Sequence, residues 1–448
     1  VVGISLLAPA TASATSTPEQ IATARSNGVT YLKGLQNATT GAIPGFGGDW
    51  SLTSFAAVGI APAEVNKGGK STTDARTWYE GLVGAPTWPG TEKPPATEFE
   101  RAALLTYAAG IDPARASKRQ DLIAKVASYY QPSEPGYYGT VFNETVFGLL
   151  AMADSKTTAG AQRLPQSVLE ESVTAVLANQ HTDGGWTFVK VAGNPIAEAE
   201  ESEPDMTGAA LAALCGAGLE KTDPAIEAGV GFLASIFVPE TGAFENQFGI
   251  NTDSVAWAVD GLKACGIDPQ AAPFTSVAFG KTPIDFLRSQ QVTGGGFRYG
   301  TTGTSAEEYA SQDAIRALGT GGFTATPPKP AGGPQWNAAT EFPTGKTETA
   351  SLALVVEDGV HALKVCSVTL TPKAATVSLE TVLKAAVAGT TPSGCLTSYT
   401  GSSAITQVNS YPAAPEERWY LSIDGGAEAK ALLSATIHVG DTIYLRFK

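Results

Sequence analysis

Residues 168–188 read VLEESVTAVLANQHTDGGWTF, and residues 203–219 read EPDMTGAALAALCGAGL. The first stretch keeps its apolar residues on one helical stripe and then breaks at a Gly-Gly-Trp turn. The second opens on acids and continues as an Ala- and Gly-rich run that is apolar nearly all round. The same text returns at 225–267, AIEAGVGFLASIFVPETGAFENQFGINTDSVAWAVDGLKACGI. It returns again at 283–300, PIDFLRSQQVTGGGFRYG, with EEYASQDAIRAL at 307–318. Three more diverged copies stand upstream. The first carries GAIPGFGGDW (41–50) and SLTSFAAVGI (51–60), and the second WYEGLVGAPTWPG (78–90) and EFERAALLTYAAGI (98–111). The third is LIAKVASYYQPSEPGYYGTVFNETVFGLLAM (122–152). A unit of roughly fifty residues with two helices cannot bury its apolar faces alone, so copies must stack. Helices apolar on every side belong inside and amphipathic ones outside. The pattern predicts a mainly α chain: an (α/α)6 toroid of six helical hairpins over 18–326, with a recessed mouth.

The period changes after residue 326. Residues 327–346 are Pro- and Gly-rich and aperiodic, which reads as a linker able to permit more than one domain arrangement. Residues 347–448 alternate in strand fashion around Asp-Gly and Gly-Asp turns, with one short amphipathic helix in VSLETVLKAAVAG (377–389). They predict a small β-rich α+β domain.

Net charge is −14 over 448 residues, and no basic run occurs, so a nucleic-acid partner is excluded. No segment has the apolar length of a membrane span. Residues 1–14, VVGISLLAPATASA, read as a signal peptide remnant, which points to a secreted or surface-exposed protein. Four cysteines fit an oxidising compartment. One disulfide is expected in each region, Cys215 with Cys265 and Cys366 with Cys395, with buried free thiols as the alternative.

An acid precedes or opens each inner helix: Asp49, Glu98 with Glu100, Glu144, Asp205, Asp253, and Glu307 with Glu308. Each would cap free amides at a helix start. Six helix starts would also gather these groups around one rim, where they could line a site. The aromatics Trp50, Trp186, Phe244, Phe297 and Tyr299 lie near turns, and Trp419 and Tyr420 lie on a strand of the second domain. They either plug packing between hairpins or offer flat apolar surface to a ligand. Strand neighbours face opposite sides, so Trp419 is expected in the core and Tyr420 outward.

The turns Gln180-His-Thr-Asp-Gly-Gly-Trp186 and Gln290-Gln-Val-Thr-Gly-Gly-Gly-Phe297 resemble those of the terpene cyclase and protein prenyltransferase toroids, over roughly residues 20–325. The C-terminal region resembles the β-domain of the cobalamin carriers intrinsic factor and transcobalamin. The matching text is the strand-helix start from Ser351 to Ala388, Trp419-Tyr-Leu-Ser-Ile-Asp-Gly-Gly426 and Val439-Gly-Asp-Thr-Ile-Tyr-Leu-Arg-Phe447. The toroid resemblance implies an acid motif, Asp-x-Asp-Asp, whose middle acid matches Asp205. Here Glu203 replaces the first acid and Met206 the last, so Asp205 is a weak catalytic candidate and no catalytic residue is assigned. The three histidines, His181, His361 and His438, supply no zinc set with the cysteines, so no metal site is expected.

The domain order resembles the carriers over nearly the whole chain. It implies an exported binding protein that holds its ligand between toroid mouth and β-domain, with a cobalamin-like corrinoid as the best single candidate and no required cofactor. The expected ligand set is Asp49, Trp50, Glu144, Trp186, Asp205, Asp253, Tyr299, Trp419 and Tyr420. The partner is a small molecule or glycan, with a cell-surface receptor or transporter as a further partner. Two alternatives stand beside it: a secreted interaction protein binding glycan, peptide or hydrophobic ligand, and a terpene-cyclase-like or glycan-processing enzyme.

Overall fold

The computed structural model describes residues 15–448 apart from 46, 70–71, 92, 119, 132, 158, 192–200, 248, 277, 346, 358–362, 389–395, 410 and 413–417. The segment read as a signal remnant, together with His361 and Cys395, lies outside the described residues.

The repeat folds as helical hairpins. One set comprises α1 (Pro18–Leu35), α3 (Ala75–Val83), α5 (Leu122–Ala127), α7 (Gln166–Leu177), α9 (Pro224–Ser235) and α11 (Pro283–Ser289). The other comprises α2 (Ser51–Ala57), α4 (Ala96–Ala109), α6 (Phe142–Ala153), α8 (Pro204–Gly216), α10 (Thr252–Ala264) and α12 (Glu308–Leu318). Each helix of the second set packs on the next, and α12 returns to α2, so these helices form a closed inner ring. Nearly every residue of α6 and α8 is buried, as their all-round apolar text requires. Outer helices carry their own start signals. Thr17 and Thr282 form capping boxes with Gln20 and Asp285, while Asp74 and Asp121 accept from the amides of Thr77 and Ala124. A disulfide joins Cys215 to Cys265 at the ends of α8 and α10. Cys366 is also disulfide-bonded.

The inner ring is closest between α8 and α10. A Cβ on Gly208 would collide with the Trp257 carbonyl, and one on Gly261 with the Gly208 carbonyl. The two glycines therefore let the backbones touch, as small residues do where helices approach closely.

Strands β1 (Phe237–Val238) and β2 (Ala243–Phe244) form a hairpin in the toroid. The C-terminal module holds β3 (Ala350–Glu357), β4 (Lys364–Leu370), β5 (Val377–Ser378), α13 (Leu379–Ala388), β6 (Tyr399–Gly401), β7 (Ile405–Val408) and β8 (Tyr411–Pro412). It ends with β9 (Trp419–Ile423), β10 (Ala429–Lys430), β11 (Thr436–Ile437) and β12 (Ile443–Phe447). The main sheet runs β10-β9-β12-β3-β4, with only the β12–β3 pair parallel. Its period-two alternation divides the faces. Leu352, Leu354, Cys366 and Val368 face the module's own core, where α13 packs, while Val355 and Val365 join the toroid core. The sheet thus lies on the toroid's flank, against α5.

Charge secures that flank. Arg163, 1% exposed, reaches Asp112 at 2.6 Å, Asp424 at 2.9 Å and the Gly440 carbonyl at 3.1 Å. Arg115 lies 3.4 Å from both Asp424 and Asp441. The 327–346 stretch is pinned rather than loose. The Asn337 amide donates to the Gly110 carbonyl and its carbonyl accepts from Asp112, both at 2.8 Å, while Trp336 packs on Tyr107. Its Pro and Gly content left the arrangement open, and the backbone pairing with the end of α4 closes it.

Candidate functional site

Where the inner helices begin, the toroid opens into a cavity of about 650 Å³. Its apolar wall is Trp50, Phe147, Trp257 and Tyr309. Its polar groups are Glu98, Arg101, Asn143, Asp253, Gln312 and Asp313. The lining follows helical phase: Thr97 with Arg101, Asn143 with Phe147, Asp253 with Trp257 and Tyr309 with Asp313 are each one turn apart on an axis-facing stripe. The rings tilt steeply across one another. Phe147 meets Trp50 at 61° and Trp257 at 71°, and the buried Phe323 closes the floor against all three.

Two cations are already committed to acids here. Arg101 binds Asp49 at 2.8 Å and Glu98 at 3.0 Å. Arg316 is fully buried, 2.7 Å from Asp260 and 2.6 Å from Asp313, with its guanidinium 4.3 Å from the Phe323 ring centre. Asp313 also accepts from the Trp257 indole at 2.8 Å. Asp253 has no such support. Its Oδ1 is buried without a hydrogen-bond partner among the described residues. Burial first, and then the Asp313 carboxylate, push its pKa up to about 8 against the opposing pull of Arg316. The Asn143 Oδ1 is likewise buried and unpartnered.

The anticipated residues divide. Trp50 and Asp253 line the cavity. Asp49 stands behind it through Arg101, and burial raises its pKa. Asp205, in the first turn of α8, is also raised by burial and senses Asp313. Tyr299, 37% exposed, meets Tyr309 with ring centres 5.7 Å apart and planes tilted by 59°. Glu144 is a cap, accepting from the Thr140 and Val141 amides at 2.7 and 3.0 Å. Asp253 is not a cap, because Asn251 already accepts from the Ser254 amide.

The anticipated aromatics Trp186, Trp419 and Tyr420 lie outside the described lining of this cavity. Trp186 is fully buried in the outer layer, with its indole donating to the Val176 carbonyl at 3.0 Å. Its Gly-Gly-Trp turn points it into hairpin packing, so no face is left for a ligand. Trp419 is 1% exposed against Phe447, and Tyr420 is on the other side of the same strand. Neither lines the mouth, because the module lies on the α5 flank, beyond the inner helices' C-terminal ends. The expected wall from the β-domain is therefore not among the described lining of this cavity. A second, polar cavity of about 550 Å³ lies at the real junction, between Gln166 and Glu170 of α7 and Glu357, Glu428, Tyr444 and Arg446.

Trp257, Phe147, Asp313 and Arg101 were missed as site residues. The signal was available in the fourth position after each helix-opening polar residue. It becomes readable only once the axis-facing stripe is known. Among the described residues no three His, Cys, Asp or Glu side chains gather as metal ligands would, and no helix is long and apolar enough to cross a membrane.

No family model matches the sequence, and no curated protein matches it. Similar solved structures include the type II terpene cyclase MstE from Scytonema, at 14% identity and TM-score 0.47, covering 68% of this chain and 98% of that one. A variant of the cyclase with bound merosterolic acid A is similar at 15% and TM-score 0.47, covering 67% and 96%. Haptocorrin in complex with Cbi is similar at 11% identity and TM-score 0.35, covering 98% of this chain and 99% of that one. These are the two kinds of protein that the sequence resembles. At such values the likenesses carry no weight for function, which rests on the side chains.

Proposed function

We propose that this chain is a two-domain binding protein that takes a compact, largely apolar ligand in the toroid mouth, with the β-rich domain as a fixed flank. One observation carries the reading: a ring-lined cavity in which the Asp253 and Asn143 oxygens are buried without partners among the described residues. Sites for small molecules combine apolar walls with a few convergent polar groups, and unmade hydrogen bonds there are costly until a ligand meets them. A cobalamin-like corrinoid is the named candidate, on the resemblance of the domain order. An exported setting is supported by the Cys215–Cys265 disulfide.

The neutral fluorophore N-phenyl-1-naphthylamine tests the mouth. Its emission should rise saturably with protein and be suppressed when Gln312→Trp fills the wall. An unsaturable response would overturn the site. Protein mixed with cyanocobalamin should keep its colour through desalting, and colourless micromolar protein would remove the corrinoid while leaving the mouth in place. Turnover of an added polyprene, rather than retention, would move the reading to a toroid enzyme.

A further inference from the structure

The charges around the mouth do not balance. Arg101 is occupied by Asp49 and Glu98, and Arg316 by Asp260 and Asp313. Among the described residues Glu308 is bonded by the neutral Gln312 amide, at 3.1 Å, and Glu307 accepts from the Tyr299 amide. Asp253 is left facing Asp313 and Arg316 on α12, Asp205 on α8 and Glu307 at the start of α12, with Tyr299 and Tyr309 beside it. Negative charge is therefore in surplus at the point where the cavity wall is also aromatic. An anion entering here would meet several carboxylates. A neutral apolar molecule would leave Asp253 Oδ1 unmet.

A cation satisfies both features. Trp and Phe rings attract positive charge through their quadrupole, most strongly where water is excluded. A carboxylate within a few ångströms supplies the opposite charge in a medium of low dielectric. We infer that the mouth ligand carries an organic cation, a protonated amine or quaternary ammonium on an apolar body, held between Asp253 and the Trp50–Phe147–Trp257 wall. This rests on the mouth being the ligand site.

Burial and the Asp313 carboxylate keep Asp253 protonated at neutral pH, since its pKa is pushed up to about 8. Cation binding favours the carboxylate, so the O–H proton leaves to solvent as the ion pair forms, and no other bond changes. Affinity for a permanent cation should therefore rise about tenfold per pH unit from pH 6 towards 8 and level off above it. A neutral ligand should lack that slope.

The experiment uses the full chain loaded with N-phenyl-1-naphthylamine and three displacing probes of equal length: decyltrimethylammonium, decanol and decyl sulfate, each below its micelle concentration. At pH 8 the ammonium should displace the fluorophore at least about tenfold better than decanol, with the sulfate weakest. Calorimetry at pH 7 in buffers of different ionisation enthalpy should show release of about one proton per ammonium bound. In Asp253→Asn the ammonium-to-decanol ratio should fall towards unity and the pH slope should vanish. If that variant no longer takes the fluorophore, the wild-type pH slope and proton release decide. Equal displacement by ammonium and decanol, or a preference that survives in Asp253→Asn, overturns the cation. Failure of the wild type to bind the fluorophore overturns instead the mouth as a site.

Discussion

Asp253 sits in the first turn of α10, where a carboxylate ordinarily gains from the free amides and the helix dipole. Burial and the Asp313 carboxylate outweigh that gain and push it up to about 8. The folded chain thus holds a proton that the unfolded chain releases near pH 4, so the folded state binds more protons between those values. Stability must then fall as pH rises from about 4 to 8 and stay level above. Asp253→Asn removes the cost of ionising this group. Relative to wild type, the variant should melt at a similar temperature near pH 4. Above pH 8 it should be more stable, with a ceiling of about 6 kcal/mol set by about 1.4 kcal/mol per pH unit between 4 and 8. A shift of equal size at both pH values would show that Asp253 is already ionised in the fold. The acid itself was legible as a repeat feature opening an inner helix. Its special state was not, because that depends on burial and on Asp313 and Arg316, some sixty residues downstream (α12 against α10).

At the scale of elements, α8 and α10 make the tightest approach in the ring. Gly208 lies against the Trp257 carbonyl and Gly261 against the Gly208 carbonyl. In isolated helices Gly to Ala is favourable by about 1 kcal/mol, so propensity alone favours substitution. Here steric overlap with backbone should win, because neither carbonyl can move without shifting its helix. Gly208→Ala is expected to destabilise by about 1–3 kcal/mol and to weaken fluorophore binding by displacing Trp257 from the cavity wall. Unchanged or raised stability in denaturant melts would mean that the helices can separate freely. Ala- and Gly-rich text announced close packing, and the inner and outer assignment follows from it. The same text could not say which glycine meets which carbonyl. Trp186 marks another limit: its turn left both hairpin packing and a ligand surface open, and its indole is spent on the Val176 carbonyl within the outer layer.

Across the whole molecule, the toroid and the β-rich domain meet through a buried charge cluster. Arg163 joins Asp112 of the toroid to Asp424 of the β-rich domain, and Asp121 nearby is pushed up to about 8 by burial. Removing one member of such a cluster strands the others in low dielectric. Arg163→Leu should cost about 3–5 kcal/mol at the junction and split calorimetric unfolding into two transitions, with the β-rich domain melting first. Retention of one cooperative transition at the wild-type temperature would show that the apolar contact of β3 and β4 with α5 is sufficient. The domain order and the linker's composition were readable in the chain. The docking face was not, because it is set by alternate residues of β3 and β4 and by five charges, Asp112, Arg115, Arg163, Asp424 and Asp441.

Local pattern determined a great deal: two helices per unit, which set is inner, where acids open helices, and the change to strands after the Pro- and Gly-rich stretch. Those features depend on period and on neighbours a few residues apart, and one sequence carries that information directly. Ring closure between α12 and α2, the approach of Asp313 to Asp253, the burial of the Asp253 oxygen and the flank chosen by the β-rich domain were decided only in three dimensions. Each depends on groups brought together from distant units. Burial then changes their charge states, and no spacing in the chain records how much water is left.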